Sequence, residues 1–243
     1  MIETLLAPQL NVAMGLFALL GNGTEQNVTA LFPCAGTASR VLFPPVQVLR
    51  KVMNVSTRPP HLHEKAQLMS ASEIERTLVR LAHEIVEKNN GVANLGLVGI
   101  KRRGIPIAER LARHIERIEK APVPVGTLDI TLYRDDLSTV GPKPVVRPRP
   151  MEYSIVGKDI VLCDDVLYTG RTVRAALDAL FDHGRPRRVQ LLVLIDRGHR
   201  ELPVEATFVG RRVQTSDLEI IEVKLQEIDQ IEKVLLVERE SDT

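Results

Sequence analysis

The chain has 243 residues, 44% of them hydrophobic and 26% charged, with a formal net charge of +1. That length and apolar content supply one substantial core, which fits one domain plus an appendage better than two full domains, and near-neutrality excludes a surface that is nucleic-acid footprint throughout while leaving room for a local basic patch. The two cysteines, Cys34 and Cys163, are far apart and without metal-ligand spacing, and no apolar run reaches the roughly 18 residues of a membrane span, so neither a disulfide framework, a zinc site nor a membrane anchor is indicated.

Residues 1 to 60 carry sparse charges, scattered Pro and Gly and no sustained helical or strand period. They are expected to be a poorly structured N-terminal extension, and a mis-assigned start upstream of Met53 is one explanation of them. Val12 to Leu20 is apolar but lacks the basic flank of a secretory signal, and Leu31 to Cys34 shares only its final Cys with a lipoprotein cleavage box. A reducing cytoplasm is the expected location.

The compact domain is expected over residues 61–243. Ser72 and Glu75 have capping-box spacing, and Ile74, Leu78, Leu81, Ala82 and Ile85 form the apolar stripe of a helix that Gly91 ends. A buried strand follows over Leu95 to Ile100, an amphipathic helix over Ile105 to about Ile118, and a longer strand over Pro122 to Leu132. This is a βαβ rhythm. Pro142, Pro144, Pro148 and Pro150 mark Tyr133 to Ser154 as a long loop or hairpin. Beyond it the pattern predicts a strand over Ile160 to Cys163, a helix from Thr172 to about His183 closed by Gly184, and strands at Val189 to Ile195, Thr207 to Val213, Glu219 to Leu225 and Val234 to Val237.

Two turns carry chemistry. Four apolar residues, Ile160 to Cys163, run into Asp164 and Asp165 and then a hydroxyl- and glycine-bearing turn that opens a helix. Backbone N–H groups of Thr169, Gly170, Arg171 and Thr172 can converge on a phosphate there, helped by the helix's positive end. Asp164 and Asp165 are then placed to accept hydrogen bonds from vicinal sugar hydroxyls and to favour a divalent cation. A lone Asp-Asp more often simply begins a loop, and the whole thirteen-residue string is what points to a phosphorylated sugar. Gly99 to Gly104 follows another buried strand and sets Lys101, Arg102 and Arg103 beside a helix start. By itself such a turn is usually solvated surface.

The string Ile160 to Thr172 resembles the phosphoribosyl pyrophosphate (PRPP) motif of the type I phosphoribosyltransferases. Its Tyr168 to Thr172 turn resembles the branch that joins uracil phosphoribosyltransferase activity to regulation of pyrimidine operons. The resemblance runs over roughly Glu64 to Glu238 and implies an α/β fold: a mostly parallel central sheet flanked by helices, a small hood and a flexible loop. It implies that Asp164, Asp165, Val166, Leu167, Tyr168, Thr169, Gly170, Arg171 and Thr172 bind PRPP, which carries Mg²⁺. Lys101, Arg102 and Arg103 would take its pyrophosphate, in a turn that in the family often contains a non-proline cis peptide. Tyr133 and Arg134 would close over the bound PRPP and act with Asp164 and Asp165 in catalysis.

The segment Asp196 to Pro203 resembles the one bordering the uracil pocket, which implies that Ile195, Asp196, Arg197 and Gly198 select the base through the main chain. Arg80, His83, His199, Arg200 and Arg211 match a face that binds pyrimidine-operon leader mRNA, with UMP and UTP as effectors and a homodimer or homotetramer as the assembly. No partner carboxylate for His199 is identifiable in the sequence, so it is assigned to the RNA face rather than to catalysis. Val79 stands where a hydroxyl residue is expected and Glu205 where a cation is, and a carboxylate facing phosphates is repulsive. A salvage enzyme without RNA binding therefore remains open, whereas intact PRPP motifs disfavour a regulator that uses nucleotides only as effectors.

Overall fold

The computed structural model describes residues 62–131, 133 and 151–239, together with two short strands, β1 (Thr29–Leu31) and β2 (Arg40–Leu42). The chain divides into two units, Met1–Pro59 and Pro60–Thr243. In the first, β1 and β2 pair antiparallel, Thr29 opposite Leu42, a pairing that no sustained period announces.

The second unit holds a five-stranded, wholly parallel sheet and a three-stranded antiparallel one. The parallel sheet comprises β4 (Leu95–Ile100), β5 (Val125–Leu128), β6 (Asp159–Leu167), β7 (Arg188–Asp196) and β8 (Phe208–Arg212), in the order β5-β4-β6-β7-β8. The helices that cover it are α1 (Ala71–Asn89), α2 (Gly104–Glu119) and α3 (Arg171–Phe181). Leu97, Val161, Cys163, Leu192 and Leu194 pack with α1 and α2, while Val98, Ile160, Leu162, Leu191 and Val193 pack with α3, as the two-residue alternation of a strand buried on both faces requires. The apolar stripe expected on α1 is the set of residues it buries.

The hood joins the unit's two ends. β3 (Leu62–Ser70), β9 (Glu219–Lys224) and β10 (Lys233–Arg239) form the antiparallel sheet with β10 in the middle, and the one-turn helix α4 (Gln226–Asp229) links β9 to β10. β10 spans β3 from Ser70 opposite Lys233 to Leu62 opposite Arg239.

Three local expectations are corrected. The capping box of α1 is Ser70 with Glu73, two residues earlier than Ser72 with Glu75: Glu73 Oε2 accepts from Ser70 N at 2.8 Å and Ser70 Oγ at 2.7 Å. β3 delivers the chain in extended geometry at Ser70, and that fixes where the cap falls. The strand expected over Pro122 to Leu132 is only Val125–Leu128, because Asp129 Oδ1 accepts from Thr131 N at 3.0 Å and folds the backbone into an Asx turn. β6 continues past Cys163 to Leu167, so the Asp pair lies within the strand.

Candidate active site

The parallel sheet changes direction at β4. The chain leaves β4 for β5 on one side and returns with β6 on the other, so the crevice at the carboxyl ends of β4 and β6 is a topological switch point, where open α/β sheets bind ligands. β4 pairs with β6 only as far as Gly99 opposite Cys163. From Asp164 onward β6 has no β4 partner, and the chain after β4 turns through Lys101 and Arg102, whose shared peptide is cis, into α2.

Asp164 and Asp165 begin this stretch of β6. Asp164 Oδ1 accepts from Asp165 N and Asp165 Oδ1 from Val166 N, both at 2.9 Å. The inside-outside alternation of β6 slips at this pair: Val166 packs on the α1–α2 side and Leu167 on the α3 side, the reverse of the phase up to Cys163. Side-chain bonds to the next backbone N–H are the local competitor to the ladder. Burial first, and the charge of Asp165 second, push the Asp164 carboxyl well above the ordinary carboxylate range. Asp165 is raised by burial too, although its hydrogen bond from Asp164 and the Arg103 charge oppose this.

Past Leu167 the chain turns through Tyr168 to Gly170, the N-cap of α3 with φ +92°, a left-handed conformation that suits glycine. A second segment braces this turn from behind. Thr169 O accepts from Glu201 N at 3.0 Å and Leu202 N at 3.1 Å, and Leu167 O from Arg197 N at 3.1 Å. The first-turn amides of α3 are thereby held at the crevice with the helix's positive end.

The basic turn is strung between two carboxylates. Lys101 Nζ lies 2.8 Å from Asp129 Oδ2, and that contact is the main reason the Asp129 carboxyl is held down to about 2. Arg103 gives Nη2 to Asp229 Oδ1 at 2.8 Å and Nε to Oδ2 at 3.2 Å. Arg102 is exposed. Nothing local in the sequence singles out Asp129 or Asp229, which lie 28 and 126 residues from their partners.

At the end of β7, Ile195 is buried and Gly198 has φ +77°. Arg197 is also buried. It stacks over the Tyr168 ring at 4.0 Å and donates to Thr215 Oγ1 at 3.1 Å and Glu219 O at 2.7 Å, which ties the segment after β7 to the approach to β9. Asp196 accepts from Gly198 N at 3.1 Å and from Arg200.

Arg200 donates as well to the carbonyls of Tyr168 at 2.7 Å, Gly198 at 2.9 Å, Val204 at 3.2 Å and Leu167 at 3.3 Å. Its guanidinium is therefore a clamp between the Leu167–Tyr168 turn and the segment that follows β7, where sequence reasoning sets it on an RNA face. His199 has the carboxylate neighbour that the sequence does not reveal: Nδ1 is 3.2 Å from Asp217 Oδ1, and Nε2 is 2.6 Å from Thr215 O.

Tyr133 is not brought to the Tyr168–Gly170 turn. Its hydroxyl bonds to Asp182, the C-cap of α3, which pushes the phenol up to about 12. Eleven residues of helix, about 16 Å at 1.5 Å per residue, separate that end from the N-cap Gly170. Arg134 lies outside the described residues. On the opposite edge of the sheet, Arg80 donates to Gly210 O at 2.7 Å and Arg211 to Leu68 O. They line a groove of about 320 Å³ with Arg76, which sequence reasoning missed. His83 and Val79 are exposed on the same helix. Glu205 lines a separate cleft of about 670 Å³ with Asp196, Arg200 and Arg212. Among the described residues no three His, Cys, Asp or Glu side chains are grouped to hold a cation, and no helix is long and apolar enough to cross a membrane.

The phosphoribosyl transferase domain model matches residues 65–228. Bifunctional protein PyrR of Pelotomaculum thermopropionicum is 60% identical over 175 residues, which are 72% of this chain and 97% of that protein. The chain belongs to the PyrR family. The Thermus thermophilus PyrR is likewise 60% identical, over 176 residues, 72% of this chain and 97% of that one. Both PyrR proteins are thus matched nearly end to end by under three quarters of this chain. Among solved structures, a Bacillus anthracis hypoxanthine-guanine phosphoribosyltransferase superposes with a TM-score of 0.54 at 20% identity, covering 72% of this chain and 99% of that one. The hypoxanthine phosphoribosyltransferase of Trypanosoma cruzi superposes with a TM-score of 0.55 at 17% identity, covering 73% and 98%. These last two likenesses concern the fold, which is that of the type I phosphoribosyltransferases.

Proposed function

We propose that the protein transfers the phosphoribosyl group of PRPP to uracil, giving UMP and diphosphate, and regulates pyrimidine-biosynthesis genes by uridine-nucleotide-dependent binding to leader mRNA. The observation that carries the enzymatic half is the convergence, at one switch point, of the Asp164–Asp165 pair, the amide-rich start of α3 and the basic turn Lys101 to Arg103. PyrR-family membership supports the regulatory half.

In this reading the amides of Tyr168 to Thr172 hold the 5′-phosphate, with Val166 and Leu167 forming the approach to the turn. Asp164 and Asp165 accept from the ribose hydroxyls, fixing C1′ where uracil can approach. Lys101, Arg102 and Arg103 face the diphosphate as negative charge grows on it. Ile195 to Gly198 offer main-chain groups to the base. Tyr133 and Arg134 act from the loop, for which Tyr133 must leave Asp182.

The hard, acidic oxygens of Asp164 and Asp165 suit a Mg²⁺ that arrives on PRPP, and such an ion would screen the phosphates. We infer a cytoplasmic homodimer or homotetramer, because leader mRNA and free nucleotides are found there and the family resemblance implies that assembly.

Purified protein given uracil, PRPP and Mg²⁺ should form UMP. Asp165→Asn should lower kcat/KM by roughly 10- to 100-fold, the worth of a hydrogen bond to a charged acceptor; wild-type turnover in that variant would overturn the site. Binding of a pyrimidine-leader hairpin should fall steeply with salt and weaken in Arg80→Ala. A second reading, a salvage enzyme without RNA binding, is favoured by one observation: Arg80, Arg200 and Arg211 all donate to backbone carbonyls. Salt-independent or undetectable hairpin binding would select it.

A further inference from the structure

Arg103 stands at the start of α2, just before Gly104, whose Cα is packed so closely on β6 that an added Cβ would lie 2.2 Å from Cys163 O and 3.4 Å from Asp164 Cα. Its guanidinium is gripped side-on: Asp229 takes Nε and Nη2, and among the described residues Nη1 has no protein partner. Asp229 is itself fixed, since its Oδ2 also accepts from Leu225 N at 3.0 Å and so closes α4 on itself.

A second link keeps α4 in register with α2. Arg110, two turns further along and almost fully buried, gives Nε and Nη2 to Glu227 at 2.8 and 2.7 Å and also bonds Glu232. Asp229 therefore cannot swing away while the hood is in place. The members of the Arg103–Asp229 pair are 31% and 19% exposed, dry enough for the contact to hold a geometry rather than only screen a charge.

We propose that Asp229 is a positioning residue for the transfer reaction: from the hood it fixes the Arg103 guanidinium at the edge of the Asp164–Asp165 crevice, with the Nη1 end left for the diphosphate of PRPP. This rests on the reading above, in which the basic turn binds diphosphate. An unrestrained arginine loses much side-chain freedom when it grips a ligand, and an arginine already fixed has less to lose. The opposite effect, a carboxylate that cancels the arginine's charge and repels diphosphate, predicts a change of the opposite sign.

In the full-length protein, Asp229→Ala should raise both KM for PRPP and the dissociation constant of Mg-pyrophosphate by about 3- to 10-fold, the cost of ordering one long side chain on binding. KM for uracil should stay within twofold. Asp229→Asn keeps an acceptor for Leu225 N and should fall between the two, which supplies the reading if the Ala variant does not fold. In an Arg103→Met background, Asp229→Asn should change neither constant further. Values within twofold of the parent, or tighter, in the single variants would overturn the proposal and leave Asp229 as a hood staple. Direct titration with Mg-pyrophosphate reads this site without turnover, so a parent protein that binds it but forms no UMP would sink the functional reading and not the positioning.

Discussion

At the scale of single residues, the site is governed by two carboxylates folded into a place that disfavours their charge. Asp164 accepts one backbone N–H and is otherwise buried beside Asp165. Folding raises its pKa, so the pair costs nothing below the ordinary carboxylate range near 4, and stability is lost as pH rises from there toward the raised value. An Asn at 164 can still accept from Asp165 N but cannot ionise. Asp164→Asn should therefore melt higher than the parent at neutral pH, by about 2–4 °C for each kcal/mol relieved, while losing PRPP turnover. A lower melting temperature would show that the carboxylate stabilises the unliganded fold. Sugar hydroxyls favour the ionised pair, so PRPP binding should also release a proton in the same window, readable by calorimetry in buffers of different ionisation enthalpy.

At the scale of elements, the crevice depends on how tightly α2 docks on β6. Gly104 makes that approach against backbone, which cannot yield as a flexible side chain would. Gly104→Ala should destabilise by about 3 kcal/mol, the upper range for overpacking, and abolish UMP formation. Gly157→Ala is the contrast: nothing lies within 4 Å of an added Cβ, and only its φ of +71° opposes it, a cost of about 1–2 kcal/mol. Comparable melting temperatures for the two variants would mean that α2 can shift without loss. Helix α1 is legible in the sequence because its apolar residues recur at helical spacing, and β4 and β7 because each is a short continuous run of the kind a strand buried on both faces carries. β5 and the start of α1 are misread because an Asx bond at Asp129 and the arrival of β3 at Ser70 set the boundary, and neither leaves a periodic mark.

At the scale of the molecule, the two ends of the domain meet in the hood, where Leu62 pairs with Arg239 and Ser70 with Lys233. Among the described residues that sheet is built from β3, β9 and β10. A chain beginning at Met53 should match the full chain in melting temperature and UMP synthesis. One beginning at Met69 keeps only the last two residues of β3 and should lose both hood and activity, since β10 loses a neighbour along most of its length. Equal behaviour of the two truncated chains would show the hood to be dispensable, and inactivity of the Met53 chain would show that the first unit has a part in the activity.

The amino-acid sequence by itself determined the fold class, the strand-to-turn string from Ile160 to Thr172 and the basic turn Lys101 to Arg103, because in each the groups that act together are neighbours along the chain. Only the tertiary structure decided what those groups touch. Arg103 finds Asp229, Lys101 finds Asp129, Tyr133 finds Asp182, His199 finds Asp217, and Arg200 finds four carbonyls instead of solvent. An ion pair between distant residues needs only one charge at the right point in space, and a single acidic residue in a polar stretch carries no local sign of the partner that the fold will bring to it.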